Sequence, residues 1–262
     1  MLKNIKCVIL AGGLGTRLSE ETISKPKPMV EIGSYPILWH IMKYYNHYGI
    51  KDFIICAGYK SDVIKNFFLN YKYLRNHFTI NTKSQSIKIL SKNDEDWNVT
   101  IVDTGDKTMT GGRLLRVKNL LNKDKNFFFT YGDGLSDIDL KKLYNFHKTN
   151  NKIATLSSVH PSGRFGKLKI TNNLVNSFEE KPTGDNGRIN GGFFVLNNKI
   201  FNYLQDDSTI FERAPLEQLS NELNLSAYNH NGFWQPMDNL RDKNYIEELW
   251  KAGNPPWKIW NN

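Results

Sequence analysis

The chain has 262 residues, of which 39% are hydrophobic and 13% aromatic, and its formal net charge is +9. This length and composition suit one large α/β core and exclude an intrinsically disordered chain. No apolar stretch is long enough to cross a bilayer, and the lysines are spread out rather than gathered into a basic stripe, so we expect no membrane partner and no nucleic-acid partner.

The first predicted element is a buried strand at residues 6–10, because this apolar run is too short for a helix and rich in β-forming residues. A loop with three glycines follows it. Such a loop lets backbone N–H groups approach an anion closely, although a tight strand-to-helix turn is the alternative. Arg17 and Lys27 follow the loop, and their side chains bind phosphate oxygens. Together these features predict a phosphate site, with Lys27 in an exposed loop.

Two common phosphate loops are excluded. The dinucleotide-binding fingerprint requires a glycine three positions after Gly15, and that position is Leu18. The Walker loop requires Gly-Lys-Ser/Thr at its end, which this sequence lacks.

The rest of the chain alternates short apolar runs with helical patterns, which predicts a mainly parallel sheet covered by helices. The predicted strands lie at 53–56, 127–130, 153–159 and 192–196. The predicted helices are one opened by Pro36 and closed by Gly49, one capped by Ser61, and one preceded by Gly111-Gly112. A hairpin-like excursion from the sheet is predicted at 78–102, including Val99 and Ile101.

No linker or repeat divides the sequence, so we expect a single domain over residues 1–262, with a helical and aromatic C-terminal segment from about residue 238. The tail at 255–260 is too aromatic to remain in solvent and is expected to dock on this subunit or a neighbour. Near the N-terminus, the apolar run ends at Gly12, too early for a signal-peptide core, so a cytoplasmic location is expected. Cys7 and Cys56 fit buried core positions rather than a disulfide or zinc site.

Two aspartates are candidate ligands for a hard cation such as Mg²⁺. Asp133 lies between glycines directly after the strand at 127–130, where open α/β sheets bind ligands. An ordinary turn explains Asp133 equally well. Asp238 precedes a predicted helix running to about Ala252, and as an isolated signal it fits a helix cap better than a metal ligand.

A third group of residues is suited to a sugar phosphate. The segment Glu179-Glu180-Lys181-Pro182 offers carboxylates and an ammonium group, and Asn190-Gly191-Gly192 offers an amide and bare backbone. A solvated charged turn is the alternative for the first segment.

With these motifs together, the sequence resembles the nucleotidyltransferases that join a sugar 1-phosphate to a nucleoside triphosphate. The shared motifs are Gly-Gly-Leu-Gly-Thr-Arg at 12–17, Lys27-Pro28, Gly132-Asp133, Glu180-Lys181-Pro182 and Asp238. Within that family the resemblance is strongest to members that use CTP. The matching sequence segments lie at 25–33, 103–105, 108–113, 130–134 and 232–245. The resemblance spans nearly the full chain, and segment 78–96 carries little of it.

The resemblance implies a Rossmann-like, mixed but mainly parallel sheet flanked by helices, and a reaction in which CTP and α-D-glucose 1-phosphate give CDP-glucose and pyrophosphate. It implies catalytic roles for Arg17, Lys27 and Asp133, and Mg²⁺ ligation by Asp133 and Asp238. The implied nucleotide-binding residues are Leu10, Ala11, Gly12, Gly13, Leu14, Gly15, Thr16, Arg17, Lys27, Thr108 and Arg113. The implied sugar-phosphate-binding residues are Gly166, Glu180, Lys181, Asn190 and Gly191.

The resemblance further implies a homo-oligomer that supplies CDP-glucose for dideoxysugars of bacterial surface polysaccharide such as lipopolysaccharide O-antigen. The motifs suit this chemistry, because a sugar phosphate is already a nucleophile at neutral pH and needs positioning and charge neutralisation rather than a general base. Two alternatives are the same reaction with UTP or dTTP and a catalytically silent regulatory subunit. The presence of Lys27, Asp133 and Asp238 argues against the silent subunit. For base choice, we hypothesise that the backbone of residues 12–14 and the loop 108–113, including the planar donors of Arg113, contact the cytosine edge.

Overall fold

The computed structural model describes residues 1–91, 95–161, 167–171, 174–179 and 187–260. Its strands are β1 (Lys6–Ala11), β2 (Glu31–Ile32), β3 (Tyr35–Pro36), β4 (Asp52–Ala57), β5 (Phe78–Ile80), β6 (Ile87–Ile89), β7 (Asn98–Asp103), β8 (Asn126–Tyr131), β9 (Gly134–Ser136), β10 (Ala154–Val159), β11 (Lys167–Thr171), β12 (Leu174–Glu179), β13 (Ile189–Asn197), β14 (Leu225–Asn229) and β15 (Trp234–Pro236). Its α-helices are α1 (Ser19–Thr22), α2 (Ile37–His47), α3 (Ser61–Leu69), α4 (Tyr71–Arg75), α5 (Thr110–Arg116), α6 (Leu140–Asn150), α7 (Ala214–Asn221) and α8 (Leu240–Lys251).

Seven strands form the central sheet in the order β14-β10-β13-β8-β1-β4-β7. Four of the six strand pairs are parallel, and the two pairs made by β13 are antiparallel. The mixed, mainly parallel sheet predicted from the sequence is therefore confirmed.

Helices cover both faces of this sheet, and the side chains of β1 are apolar on both faces. Cys7 and Ile9 belong to one hydrophobic cluster, whereas Val8 and Leu10 belong to a second. Successive side chains of a strand point to opposite faces, so a strand that is apolar throughout requires a core on each side. Within the described residues, no helix has the length and apolar character needed to span a bilayer.

Several local predictions agree with the structure. The helix opened by Pro36 is α2, and Gly49 follows it with φ of 96°. The strands predicted at 53–56, 127–130, 153–159 and 192–196 correspond to β4, β8, β10 and β13. The aromatic tail docks on its own subunit, because Trp257 is completely buried and stacks on Phe233.

Three local predictions need correction. The excursion at 78–102 is a hairpin only in β5 and β6, because Val99 and Ile101 lie in β7, which pairs parallel with β4 at the edge of the central sheet. Ser61 does not cap α3; its hydroxyl donates instead to Asp103 of β7. The glycines at 111 and 112 lie inside the first turn of α5 rather than before it.

Candidate active site

The candidate site lies at the carboxyl ends of β1 and β8, which pair parallel with Leu10 opposite Tyr131. Because both strands end at the same edge, the glycine loop and the Gly132-Asp133 turn lie side by side. The backbone is tightly packed here: a Cβ atom on Gly132 would lie 2.6 Å from the Leu10 carbonyl oxygen and 2.9 Å from Cγ of Pro28. Only glycine permits this approach, which brings the Lys27-Pro28 turn beside Asp133.

A second pairing brings Asp238 to the same place. Strand β15 pairs antiparallel with β9, with Pro236 opposite Gly134, and the Met237 N–H donates to the Asp133 carbonyl at 2.9 Å. The sequence alone favoured Asp238 as the cap of the following helix, and the structure shows that it is not. The cap of α8 is Asn239, whose side chain accepts from the Asp242 N–H. The Asp238 carboxylate is therefore left to face the site.

Lys27 lies between the two aspartates. Its Nζ is 2.6 Å from Oδ2 of Asp133 and 2.9 Å from Oδ1 of Asp238. The prediction of an exposed Lys27 is wrong, because the residue lies in a 3-10 turn and only 10% of its side chain is exposed. Burial by itself would lower the pKa of Lys27, but the charges and hydrogen bonds of the two aspartates outweigh burial and raise it. The lysine is thus held as a cation.

Arg17 adds a second positive charge at the mouth of the site. It follows Gly15, which has φ of 65°, and lies in the 3-10 turn at Thr16–Leu18. Its Nη1 donates to Oδ2 of Asp238 at 2.9 Å, while 73% of its side chain remains exposed. The structure therefore brings Arg17, Lys27, Asp133 and Asp238 together, although they are up to 221 residues apart in the chain.

The glycine loop is open toward solvent at one position and closed at another. A Cβ atom on Gly13 would have no neighbour within 4 Å, and Leu14 is exposed. A Cβ atom on Gly12, in contrast, would lie 2.0 Å from Nη1 of Arg113. Gly12 is thus required by the close approach of a buried guanidinium, a reason that the sequence did not reveal, while Gly13 is the accessible part of the loop.

Arg113 supports the loops of this edge from inside. Its Nη atoms donate to the carbonyls of Gly12 (2.9 Å), Ala57 (3.2 Å), Gly105 (2.8 Å) and Asp106 (3.3 Å), and to the Thr104 hydroxyl (2.7 Å). These residues lie at or just after the carboxyl ends of β1, β4 and β7, three adjacent strands. Burial lowers the pKa of Arg113. The Nη donors of Arg113 bind protein oxygens, so this side chain holds the glycine loop against the ends of β4 and β7.

Thr108 and the predicted sugar-side residues lie around the same edge. Thr108 is buried, and its hydroxyl oxygen lies beside Gly105. Asn190 donates from Nδ2 to the Tyr131 hydroxyl at 3.4 Å, and the Gly191 carbonyl accepts from Nε1 of Trp234 at 2.7 Å. The other predicted sugar-side residues, Gly166, Glu180 and Lys181, lie outside the described residues.

Sequence reasoning missed two residues that shape the site. Asp242 accepts from the Asp238 N–H at 3.0 Å, and the Asn239-x-x-Asp242 pattern at a helix start could have indicated it. Glu212 accepts from the hydroxyls of Tyr131 and Thr110, and nothing in the local sequence indicated that contact.

The donor set fits a hard divalent cation. The carboxylates of Asp133 and Asp238 both contact the Lys27 ammonium, so the space between them stabilises a positive charge. Within the described ranges there is no group of three or more His, Cys, Asp or Glu side chains that could hold a metal. Two carboxylates are sufficient for Mg²⁺, which completes its shell with phosphate oxygens and water.

This edge of a mixed α/β sheet, with a glycine loop, two cationic side chains and paired aspartates, is typical of enzymes that transfer nucleotidyl groups. Residues 6–236 match the family described as Nucleotidyl transferase, and the chain belongs to that family. Enzymes of this family generally use a divalent metal ion.

The chain is similar over nearly its full length to other members. It is 56% identical over 256 residues to glucose-1-phosphate cytidylyltransferase of Salmonella typhimurium, covering 98% of this chain and 100% of that protein. It is 41% identical over 257 residues to the probable glucose-1-phosphate cytidylyltransferase of Bacillus subtilis, with coverage of 98% and 100%.

Solved structures agree on the fold. HddC from Yersinia pseudotuberculosis superposes with a TM-score of 0.69 at 25% identity, covering 94% of this chain and 99% of that one. A UDP-glucose pyrophosphorylase complexed with UDP-glucose superposes with a TM-score of 0.67 at 15% identity, covering 97% of this chain and 100% of that one, and it supports the fold alone.

Proposed function

We propose that this chain transfers the cytidylyl group of CTP to α-D-glucose 1-phosphate, forming CDP-glucose and releasing pyrophosphate. The observation that carries the proposal is the 56% identity, over 98% of the chain, to a glucose-1-phosphate cytidylyltransferase. The cluster of Lys27, Asp133 and Asp238 supplies the chemistry that this reaction needs. Neither the use of UTP or dTTP nor a silent regulatory subunit is favoured by these findings.

The reaction requires two polyanions to approach each other. An oxygen of the sugar phosphate attacks the α-phosphorus of CTP, the bond from that phosphorus to the bridging oxygen breaks, and pyrophosphate leaves with the electron pair. The attacking phosphate is anionic at neutral pH, so no side chain has to remove a proton. The task of the chain is to position both substrates and offset their negative charge.

Lys27 and Arg17 supply this positive charge. Lys27 is nearly buried between its carboxylates and remains protonated, so its ammonium can bind phosphate oxygens. The exposed guanidinium of Arg17 can reach a triphosphate at the mouth of the site. The backbone of the loop at 12–15, with Gly13 open to solvent, provides further donors for phosphate.

Asp133 and Asp238 would hold Mg²⁺. When bound, that ion supplies positive charge that stabilises the phosphate oxygens during transfer. The two aspartates are held ready by the backbone, because the Asp133 carbonyl accepts from Met237 N–H and the Asp238 N–H donates to Asp242.

Base choice is assigned to backbone groups at residues 12–14 and to Thr108, with Arg113 holding these segments in place. Cytosine presents an amino donor and an unprotonated ring nitrogen where uracil presents a carbonyl and an N–H. A mismatched base therefore leaves buried polar groups unpaired.

The test is a comparison of initial rates with CTP, UTP, dTTP and GTP at equal subsaturating concentration, with glucose 1-phosphate as acceptor. We expect CTP to be fastest. A UTP rate equal to or above the CTP rate would reject the cytidylyl assignment and leave the wider transferase assignment intact. Absence of product with every nucleotide would favour the silent subunit.

We further propose that the chain works as a single domain in a cytoplasmic homo-oligomer that supplies CDP-glucose for dideoxysugars of bacterial surface polysaccharide. Leu69, Leu74 and Leu90 are exposed, and self-association would remove such large apolar side chains from water. Light scattering on the purified chain measures the oligomer.

A further inference from the structure

Glu212 contacts two elements that border the site. It lies between β13 and α7 and is partly buried. Its Oε1 accepts from the Tyr131 hydroxyl at 2.6 Å, and its Oε2 accepts from the Thr110 hydroxyl at 2.6 Å. Tyr131 ends β8, two residues before Asp133, and Thr110 begins α5, which carries Arg113. One carboxylate therefore connects the metal-ligand turn to the helix that supports the nucleotide loop.

The position of this carboxylate is well defined. The segment at 207–212 accepts N–H groups from the start of α5: Met109 donates to the Asp207 carbonyl at 2.8 Å, and Gly111 donates to the Thr209 carbonyl at 2.9 Å. Next to Glu212, Phe211 is completely buried, and its ring lies 5.0 Å from that of Phe129. A side chain on a segment anchored at both points has little freedom to move.

The carboxylate determines which way the Tyr131 hydroxyl points. The hydroxyl proton is donated to Glu212, so the oxygen of Tyr131 is left as an acceptor, and Nδ2 of Asn190 donates to it at 3.4 Å. The other end of the same amide, Oδ1 of Asn190, accepts from the Gly192 N–H at 2.8 Å.

We propose that Glu212 is a positioning residue for the sugar 1-phosphate, acting through Tyr131 to fix the orientation of the Asn190 amide. The inference rests on the proposed function, because Asn190 is on the side assigned to the sugar phosphate. Without the carboxylate, the Tyr131 hydroxyl loses its acceptor and is free to move, and the Asn190 amide then keeps only the contact from its Oδ1 to the Gly192 N–H. An amide held at one end only is less well placed for a hydroxyl-rich ligand, which therefore loses affinity.

The experiment compares Glu212→Gln and Glu212→Ala with the wild type, with KM measured separately for glucose 1-phosphate and for CTP. Loss of a hydrogen bond to a charged group should raise the KM for glucose 1-phosphate about tenfold in the alanine variant. The glutamine variant, which keeps one acceptor for Tyr131, should show a smaller rise. The substitutions also remove the Thr110 contact, but the start of α5 keeps its backbone bonds from Met109 and Gly111 to the segment at 207–209, and the hydrogen bonds of Arg113 stay in place. The KM for CTP should therefore change by less than about twofold in both variants.

The matched control is Glu222→Gln. Glu222 also accepts from a tyrosine hydroxyl, that of Tyr203, but the pair is exposed and lies on the surface at α7. We expect wild-type values of both KM constants for this control. Tyr131→Phe should reproduce the rise seen in Glu212→Ala, and the double variant should not exceed the larger single effect, because both substitutions break the same chain of contacts.

Equal rises in both KM constants, or additive effects in the double variant, would overturn the inference and leave Glu212 with a general structural role. An unchanged KM for glucose 1-phosphate would overturn it as well. The wild-type reaction, run first, separates this failure from failure of the proposed function: a wild type that forms no CDP-glucose rejects the function, whereas an active wild type with unaffected variants rejects only the role of Glu212.

Discussion

Replacing Lys27 with methionine tests the central feature of the site, a buried cation shared by two aspartates. Methionine keeps an unbranched apolar stem and removes only the charge and its hydrogen bonds. If the ammonium offsets triphosphate charge in the transition state, turnover should fall at least about a hundredfold, the usual loss for one preorganised electrostatic group.

The same substitution should also affect stability in a metal-dependent way. Lys27 is 10% exposed in its side chain, and it lies 2.6 and 2.9 Å from carboxylates that are 27% and 18% exposed. Its removal leaves two like charges facing each other. Loss of one partner from a fully buried pair costs about 3–5 kcal/mol, and the partial exposure of the aspartates reduces our expected loss to about 1–3 kcal/mol. A divalent cation should restore part of this loss.

Turnover is measured at saturating CTP and glucose 1-phosphate, and the free energy of unfolding by urea with and without magnesium chloride. Lys25→Met is the control, since Lys25 lies two residues away and pairs with Glu31 at 3.6 Å, outside the aspartate cluster. A Lys27→Met enzyme with turnover within tenfold of wild type would refute the charge argument. Equal effects of magnesium on the stability of both lysine variants would refute the idea that the metal binds the same two carboxylates as the Lys27 ammonium.

Three further predictions follow from other residues. Asp133→Asn and Asp238→Asn should each abolish most magnesium-dependent activity, because each removes one of two anionic ligands; a magnesium titration that matches wild type would contradict this. Arg113→Lys should raise the KM for CTP at least about tenfold, because one ammonium group cannot replace guanidinium donors to three loops. A wild-type KM would show that the loops keep their conformation without the guanidinium. His40 is buried, and burial lowers its pKa to about 4, so the folded state binds fewer protons than the unfolded state between pH 6.5 and 4. The free energy of unfolding should therefore fall as pH falls through that range, by about 3 kcal/mol for this residue. With the free energy measured by urea unfolding at each pH, His40→Gln should reduce this dependence on pH, and an unchanged dependence would exclude His40 as its source.

Local sequence was sufficient for the elements that hold the site. The apolar run of β1 predicted a strand buried on both faces, and β8 was predicted in the same way, because an unbroken apolar strand is stable only between two hydrophobic layers. The glycine loop and the Gly132-Asp133 turn were recognisable since glycine at a strand end serves close backbone approaches. The family motifs then indicated which side chains should lie there.

The arrangement of charges depended on the tertiary structure. From sequence, Asp238 fitted a helix cap better than a metal ligand, and Lys27 was expected in an exposed loop. The pairing of β15 with β9 moves Asp238 beside Asp133, and the 3-10 turn at Lys27–Met29 directs the lysine between them. Such contacts join residues more than a hundred positions apart, and no local pattern encodes them.

The role of Arg113 shows the same division. Its presence in a Thr-Gly-Gly-Arg motif at 110–113 indicated a nucleotide loop, and its planar donors suggested contact with a base. In the fold, the parallel order of β1, β4 and β7 brings three carbonyl-rich loop ends around one buried guanidinium, and the donors bind those carbonyls. The residue types of the site and the strands that carry them were thus determined by the sequence alone. Which donors meet which acceptors was decided only by tertiary packing, because hydrogen bonds and ion pairs require specific distances that strand order and loop closure create.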